Sequence, residues 1–134
     1  MQKSYHGSCH CGAVQFRCEL DLAAGTTRCN CSVCSKGRFW LGFVPAAQFE
    51  LLAGHELLAD YQFGAQQIHH RFCLRCGIKP FGTRYKPELG SDIYAINIAC
   101  LDDVPAQELA AAPVRYVNGR HDDWGATPAE TSHL

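Results

Sequence analysis

The chain has 134 residues, of which 47% are hydrophobic and 19% are charged, and its formal net charge is −1. This composition predicts one globular domain over residues 1–134, with a core over about 4–117 and a C-terminal tail over 118–134. The near-neutral charge argues against the broad electrostatic attraction to phosphate that nucleic-acid binding requires. The N-terminus has no apolar signal region and no apolar run long enough to cross a bilayer, so we expect a soluble, cytoplasmic protein with no nucleic-acid or membrane partner.

Short strands are predicted along most of the chain. In the first, over 12–20, apolar residues alternate with polar ones at period two; they are Val14, Phe16, Cys18 and Leu20. Six further runs, separated mostly by glycine-containing turns, lie at 39–44, 49–52, 57–63, 67–72, 80–85 and 93–98. Helix is expected only as a turn after Pro45 and over 104–112, and the tail is expected to lie over the sheet or to fray. The pattern predicts a mostly β domain of antiparallel strands with few short helices.

Seven of the nine cysteines fall into three short-spaced clusters, which are Cys9-x-Cys11, Cys29-x-Cys31-x-x-Cys34 and Cys73-x-x-Cys76. In a reducing compartment, clusters of this kind are more often metal ligands than disulfides. Seven thiolate ligands predict two zinc ions per chain. The two remaining cysteines, Cys18 and Cys100, lie in apolar strand patterns and are predicted to be core thiols.

The first predicted zinc site combines two distant pairs. Cys9 and Cys11 lie between glycines, and Cys73 and Cys76 have the spacing of a zinc knuckle followed by a glycine, Gly77. Each pair supplies only two ligands, so joining them gives a closed four-cysteine site. Such a site is structural, and it would staple the N-terminal strand to the strand over 67–72.

The second predicted zinc site is open. Cys29, Cys31 and Cys34 supply three thiolates within six residues, and no fourth local ligand is evident. Three protein ligands with one position left for water or substrate is the catalytic arrangement, and an external thiol could occupy that position. The spacing therefore favours thiol or water activation over a structural or redox role, and this zinc is expected to be lost more readily than the first.

The basic and imidazole side chains near the clusters leave alternatives open. Basic residues flank the cysteines and could compensate thiolate charge or bind an anion; they are Arg28, Lys36, Arg38, Arg71, Arg75, Lys79, Arg84 and Lys86. Strand alternation places His69 on the side of Cys73 and His70 on the other side. Either histidine could donate a hydrogen bond at a metal site, or simply pack as an ordinary polar residue.

Three sequence runs carry a resemblance to a known family: Gly7-Ser-Cys-His-Cys-Gly-Ala-Val14, Arg28-Cys-Asn-Cys-Ser-Val-Cys34 and Arg71-Phe-Cys-Leu-Arg-Cys-Gly77. The chain resembles the glutathione-dependent formaldehyde-activating enzyme family, which also contains centromere protein V. The resemblance implies a β-tent fold of small antiparallel sheets held by zinc. It also implies that the four-cysteine zinc is structural and that the three-cysteine zinc is the active site.

The resemblance further implies a reaction of glutathione with formaldehyde that gives S-hydroxymethylglutathione, which in reverse is a carbon–sulfur lyase reaction. A small-molecule thiol and an aldehyde would then be the partners. Lys36 and Arg38, which follow the second cysteine cluster, are hypothesised to face the glutathione carboxylates. Two other functions remain open, a non-enzymatic zinc-binding module for protein interaction and a thiol redox switch.

Overall fold

The computed structural model of the protein describes residues 1–134. It contains ten strands, namely β1 (Lys3–Ser8), β2 (Gln15–Leu20), β3 (Thr26–Cys29), β4 (Leu41–Pro45), β5 (Phe49–Ala53), β6 (Leu58–Tyr61), β7 (Ile68–Cys73), β8 (Phe81–Lys86), β9 (Ser91–Asn97) and β10 (Val114–Val117). Two short helices are α1 (Ser32–Gly37) and α2 (Ala106–Ala111). Single 3₁₀ turns lie at Leu22–Ala24, Ala46–Gln48, His55–Leu57, Ile98–Cys100 and Gly119–His121. None of the helices is long and apolar enough to cross a membrane.

The strands form two sheets, which confirms the predicted mostly β fold. One sheet has three strands in the order β1-β2-β5, and the other has seven in the order β10-β3-β4-β9-β8-β7-β6. Every pairing is antiparallel except that of β10 with β3, which is parallel. The predicted antiparallel pairing therefore holds everywhere except at this edge, where a long connection lets β10 return in the direction of β3. In that register Val117 lies beside Cys29, so the C-terminal tail begins next to the second cysteine cluster.

The alternation predicted for the first long strand is confirmed. In β2, Phe16, Cys18 and Leu20 are buried while the intervening residues are exposed. Phe16 stacks on Phe49 with ring centroids 5.6 Å apart and meets Phe81 edge-on at 6.1 Å. Cys18 and Cys100 both lie in this apolar core, as predicted. The core thus fills the space between the two sheets without using the clustered cysteines.

Several elements were not predicted from the sequence. The strands β1, β3 and β10 are short or mostly polar; in β1, for example, only Tyr5 and Gly7 are buried. Helix α1 also contradicts the expectation that helix is confined to the turn after Pro45 and to 104–112, both of which do contain helical turns. It has six residues, too few for an apolar period to be recognised. These missed elements matter because β3, α1 and β10 together frame the second cysteine cluster.

Candidate metal centres

The fold brings the first four cysteines together. The Sγ atoms of Cys9, Cys11, Cys73 and Cys76 all lie within 4.8 Å of one another. Cys11 Sγ lies 3.6 Å from Cys9 Sγ and 3.7 Å from Cys73 Sγ. A tetrahedral zinc with Zn–S bonds of about 2.3 Å requires sulfurs about 3.8 Å apart. The geometry and the all-thiol donor set therefore fit zinc.

Two tight turns position these sulfurs. After β1, the amide of Gly12 donates to the Cys9 carbonyl at 3.1 Å, and Gly12 has a φ of 80°. After β7, the amide of Gly77 donates to the Cys73 carbonyl at 2.8 Å, and Gly77 has a φ of 76°. Both values lie in the left-handed region that glycine adopts without strain. The knuckle predicted around Gly77 is thus present.

Backbone amides support the thiolate form of this cluster. Val14 donates its N–H to Cys9 Sγ at 3.3 Å, and Arg75 donates its N–H to Cys73 Sγ at 3.4 Å. The backbone amides of Cys11 and Ile78 lower the pKa of Cys76 to about 6. Without a cation, four thiols this close cannot all be ionised, because the thiolate charges repel one another. A bound dication compensates these charges.

The second cluster is also assembled, with three sulfurs. The Sγ atoms of Cys29, Cys31 and Cys34 lie within 4.8 Å of one another, and no further cysteine, histidine or carboxylate joins them. Cys29 ends β3, Cys31 directly precedes α1, and Cys34 lies within α1. Cys29 and Cys34 are buried, whereas Cys31 is half-buried. This donor set fits a zinc that keeps one coordination position for an external ligand.

Charge is shared unequally among these three thiols. Contacts with the Cys29 and Cys34 thiols hold the pKa of Cys31 far below its usual range, and the backbone amides of Cys34 and Val33 act in the same direction. Contacts with the Cys29 and Cys31 thiols, together with burial, raise the pKa of Cys34. Cys31 is therefore the preferred thiolate, and it is also the most exposed of the three sulfur-bearing residues.

The C-terminal tail lies against this cluster. A Cβ placed on Gly119 would lie 2.6 Å from Cys29 Sγ, so only glycine fits there. Arg120 donates from its backbone N–H to Asn30 Oδ1 at 2.9 Å and from Nε to the Asn30 carbonyl at 3.0 Å. A cavity of about 430 Å³ adjoins these residues and Ser35. Sequence reasoning missed the tail as part of the site because no short-spaced motif marks it.

The predicted substrate-binding residues lie at the end of α1. Lys36 occupies its last turn, and Arg38 follows with a φ of 51°. Both side chains are exposed, and neither forms an ion pair. The Arg38 carbonyl accepts a hydrogen bond from Arg28 Nη1 at 3.5 Å, and the Arg28 guanidinium lies 5.3 Å from the Trp40 ring centroid. Lys36 and Arg38 are therefore available to an anionic ligand.

His69 and His70 face different environments, as strand alternation requires. His69 Nδ1 lies 2.6 Å from Asp60 Oδ2 at the surface. His70 is buried, and its Nδ1 lies 2.7 Å from the Nζ of Lys79. Neither imidazole hydrogen-bonds a cysteine sulfur. Lys79, which contacts His70, also lies over the Phe39 ring, and Phe39 packs against the second cluster.

His70 predicts a pH dependence of stability. Burial and the Lys79 charge, joined by His69, lower its pKa from 6.5 to about 4, against smaller opposing effects of Cys31 and Asp60. Between pH 6.5 and pH 4, His70 binds a proton in the unfolded chain but stays neutral in the folded protein. The free energy of unfolding therefore decreases by about 3 kcal/mol as the pH drops from 6.5 to 4.

Urea unfolding of the wild type and of His70→Gln at pH 7.0 and pH 4.5 measures this effect. Loss of zinc at low pH affects both proteins, so the difference between their pH dependences isolates His70. We expect the wild type to lose more stability than His70→Gln over this interval. Parallel losses in the two proteins would contradict the assignment.

Comparison with known proteins agrees with this geometry. Residues 4–118 match the family model described as "Glutathione-dependent formaldehyde-activating enzyme". A protein of Halomonas elongata, named "Putative glutathione-dependent formaldehyde-activating enzyme", is 33% identical over 78 residues, which cover 52% of this chain and 50% of that protein. The chain thus matches about half the length of this curated relative.

A solved structure shares the fold. The crystal structure of a Rhodobacter sphaeroides protein superposes with a TM-score of 0.68 at 32% identity, covering 82% of this chain and 99% of that chain. The family match includes both cysteine clusters and all strands from β2 to β10. The chain therefore belongs to the glutathione-dependent formaldehyde-activating enzyme family.

Proposed function

We propose that this protein forms and cleaves adducts between glutathione, or a similar low-molecular-weight thiol, and a small aldehyde such as formaldehyde. The observation that carries the proposal is the three-sulfur cluster of Cys29, Cys31 and Cys34, which has no fourth protein ligand within reach. A structural zinc site is normally closed by four protein ligands, as in the first cluster. The family name supports the thiol and the aldehyde as substrates.

The reaction joins the thiol sulfur to the carbonyl carbon. The S–H bond breaks, the carbon–sulfur bond forms, and the carbonyl π electrons move to oxygen, which takes up a proton. Zinc bound by the three cysteines would favour the thiolate form of the incoming thiol. The reverse reaction breaks the carbon–sulfur bond, which makes the proposed enzyme a carbon–sulfur lyase.

The chain's own residues would orient the reactants. Helix α1 and the turn at Asn30 fix the three sulfurs, since the Ser35 amide donates to the Cys31 carbonyl at 2.9 Å and Ser35 Oγ donates to the Asn30 carbonyl at 2.8 Å. The tail covers Cys29 and leaves Cys31 the most exposed of the three. Holding thiol and aldehyde in contact removes much of the entropic barrier of a two-molecule reaction.

Exchange spectroscopy tests the proposal directly. Zinc-loaded protein is added to glutathione and ¹³C-formaldehyde, and two-dimensional NMR measures the exchange rate between free formaldehyde and S-hydroxymethylglutathione. The spontaneous reaction sets the baseline. We expect an exchange rate that rises in proportion to protein concentration, and a rate that stays at the baseline would refute the proposal.

Charge reversal tests the hypothesis that Lys36 and Arg38 bind glutathione carboxylates. The double variant Lys36→Glu/Arg38→Glu should weaken glutathione binding about tenfold at low salt, because exposed charge pairs contribute up to about 1 kcal/mol each. Titration of cobalt-substituted protein, followed by its thiolate absorption, measures the affinity.

The matched control is Lys86→Glu, which changes a lysine at the far end of β8. Cysteamine, a thiol without carboxylates, should bind the double variant as well as the wild type or better. Unchanged glutathione affinity in the double variant would remove these two residues from the site.

A further inference from the structure

Lys79 is a buried cation without a carboxylate partner. Its residue is 9% exposed, and it takes part in none of the ion pairs of the structure. Its Nζ lies 2.7 Å from His70 Nδ1 and 4.2 Å from the Phe39 ring centroid. A buried ammonium group is costly unless another charge or a strong hydrogen bond compensates it. The position of Lys79 therefore calls for a physical reason.

The fold makes room for this side chain. Gly82 pairs with His70 across β7 and β8, and a Cβ at Gly82 would lie 3.5 Å from Lys79 Cε. That distance is an ordinary van der Waals contact, so the Lys79 side chain packs directly beside β8 at this position. The alternation of β7 turns His70 away from Cys73, so the Lys79–His70 pair faces away from the four-cysteine cluster.

Phe39 connects Lys79 to the open cluster. Burial lowers the pKa of Lys79, and negative charge on the open cluster opposes this effect. Phe39, which packs under the ammonium group, also packs against the apolar residues around Cys29 and Cys34. The Lys79 ammonium therefore lies within electrostatic reach of the three-cysteine site, on its Phe39 side.

His70 adds a second observation that points to a ligand. When His70 Nδ1 accepts a hydrogen bond from the Lys79 ammonium, the ring proton is on Nε2. That buried Nε2 has no hydrogen-bond partner in the protein. Unpartnered buried donors are rare, and a catalytic role or a bound water, ion or ligand can account for one. Beside the imidazole, Phe63 stacks at 5.6 Å and Tyr61 lies at 6.2 Å, and both aromatic residues are exposed.

We propose that Lys79 is a further catalytic residue, whose ammonium group donates the proton to the aldehyde oxygen as the thiol sulfur adds to the carbonyl carbon. His70 is a positioning residue that fixes the Lys79 Nζ. The thiol releases its proton to solvent on entering the site, Lys79 gives one proton to the oxygen, and solvent returns a proton to the Lys79 amine. Thiol and aldehyde thus combine with no net gain or loss of protons. This role rests on the proposed function.

The role also defines the carbonyl substrate. A single ammonium group packed between Phe39 and His70 offers one strong donor in otherwise aromatic surroundings. It suits the lone oxygen of a small, uncharged aldehyde.

Three variants test this role. Lys79→Met removes the charge and keeps the length. Lys79→Arg keeps the charge but holds its proton too tightly to donate it. Lys86→Met is the control, at a half-buried lysine that ends β8. Zinc content and thermal unfolding establish that each variant is folded and loaded. Glutathione affinity, measured on cobalt-substituted protein without aldehyde, provides a readout that does not depend on turnover.

We expect both Lys79 variants to retain two zinc ions and to slow formaldehyde exchange at least 100-fold, as loss of a positioned acid does. Lys79→Arg should bind glutathione within about threefold of the wild type, since its charge is kept. Lys86→Met should match the wild type throughout. Exchange by Lys79→Arg at the wild-type rate would overturn proton donation, and exchange by Lys79→Met at that rate would overturn any catalytic role.

A wild-type protein that does not accelerate exchange would instead refute the proposed function, and the role of Lys79 with it. If the Lys79 variants do not fold, the wild type still provides a test. The ¹⁵N NMR spectrum of the His70 ring should show a proton on Nε2 and none on Nδ1. A proton on Nδ1 would contradict the hydrogen bond from Lys79 on which the proposed role depends.

Discussion

Replacing Cys73 with serine is expected to remove most of the stability of this protein. Cys73 is completely buried, and its sulfur lies 3.7 Å from that of Cys11. Structural zinc sites contribute an apparent free energy of about 10–16 kcal/mol in small zinc-binding domains, as much as a whole domain's net stability of about 5–15 kcal/mol. The serine variant leaves a three-thiol site between β1 and β7. We therefore expect a loss of about 5 kcal/mol or more, with one zinc ion fewer per chain.

Thermal unfolding by circular dichroism and zinc analysis by mass spectrometry measure the two effects. The control is Cys18→Ala, which removes a buried sulfur from the apolar core but no predicted ligand. It should cost about 1–2 kcal/mol and leave the zinc content unchanged. If Cys73→Ser unfolds at the same temperature as Cys18→Ala, the four-cysteine cluster does not hold the fold together.

The second large effect is expected from Cys31→Ser. This change removes the preferred thiolate of the open cluster, so zinc affinity and formaldehyde exchange should both fall at least 100-fold. The fold should survive, because Cys31 is half-buried and β3 remains paired with β4 and β10 without it. We expect the free energy of unfolding to drop by less than half of the loss in Cys73→Ser.

This comparison distinguishes an enzyme from a zinc-stabilised interaction module. In such a module both metals serve the fold, and Cys31→Ser would destabilise the protein as much as Cys73→Ser does. Ser32→Ala, an exposed change one residue further along, is the control and should leave zinc content and exchange unaltered. Equal destabilisation by Cys31→Ser and Cys73→Ser would favour the module.

Much of the metal chemistry could be predicted from the cysteine spacing alone. Two thiols separated by one or two residues lie within a few ångströms of each other in any tight turn, so Cys73-x-x-Cys76 with Gly77 indicates a shared metal whatever the rest of the fold does. The period-two alternation in β2 similarly predicted which side chains enter the core, since successive side chains of a strand point to opposite faces. Short polar elements such as β1 and α1 carry too little apolar pattern to be recognised.

Local spacing thus indicated which sulfurs can share a metal, strand alternation predicted the mostly β fold, and the resemblance of three sequence runs indicated the family. Only the tertiary structure decided what surrounds the open cluster. The Lys79–His70 contact depends on the pairing of β7 with β8, and the cover of Gly119 over Cys29 depends on the parallel pairing of β10 with β3. No periodicity in the sequence records either contact. Both contacts form only when the strands pair and bring separate parts of the chain together. The properties of the side chains there depend on burial and charge, which residue spacing does not indicate.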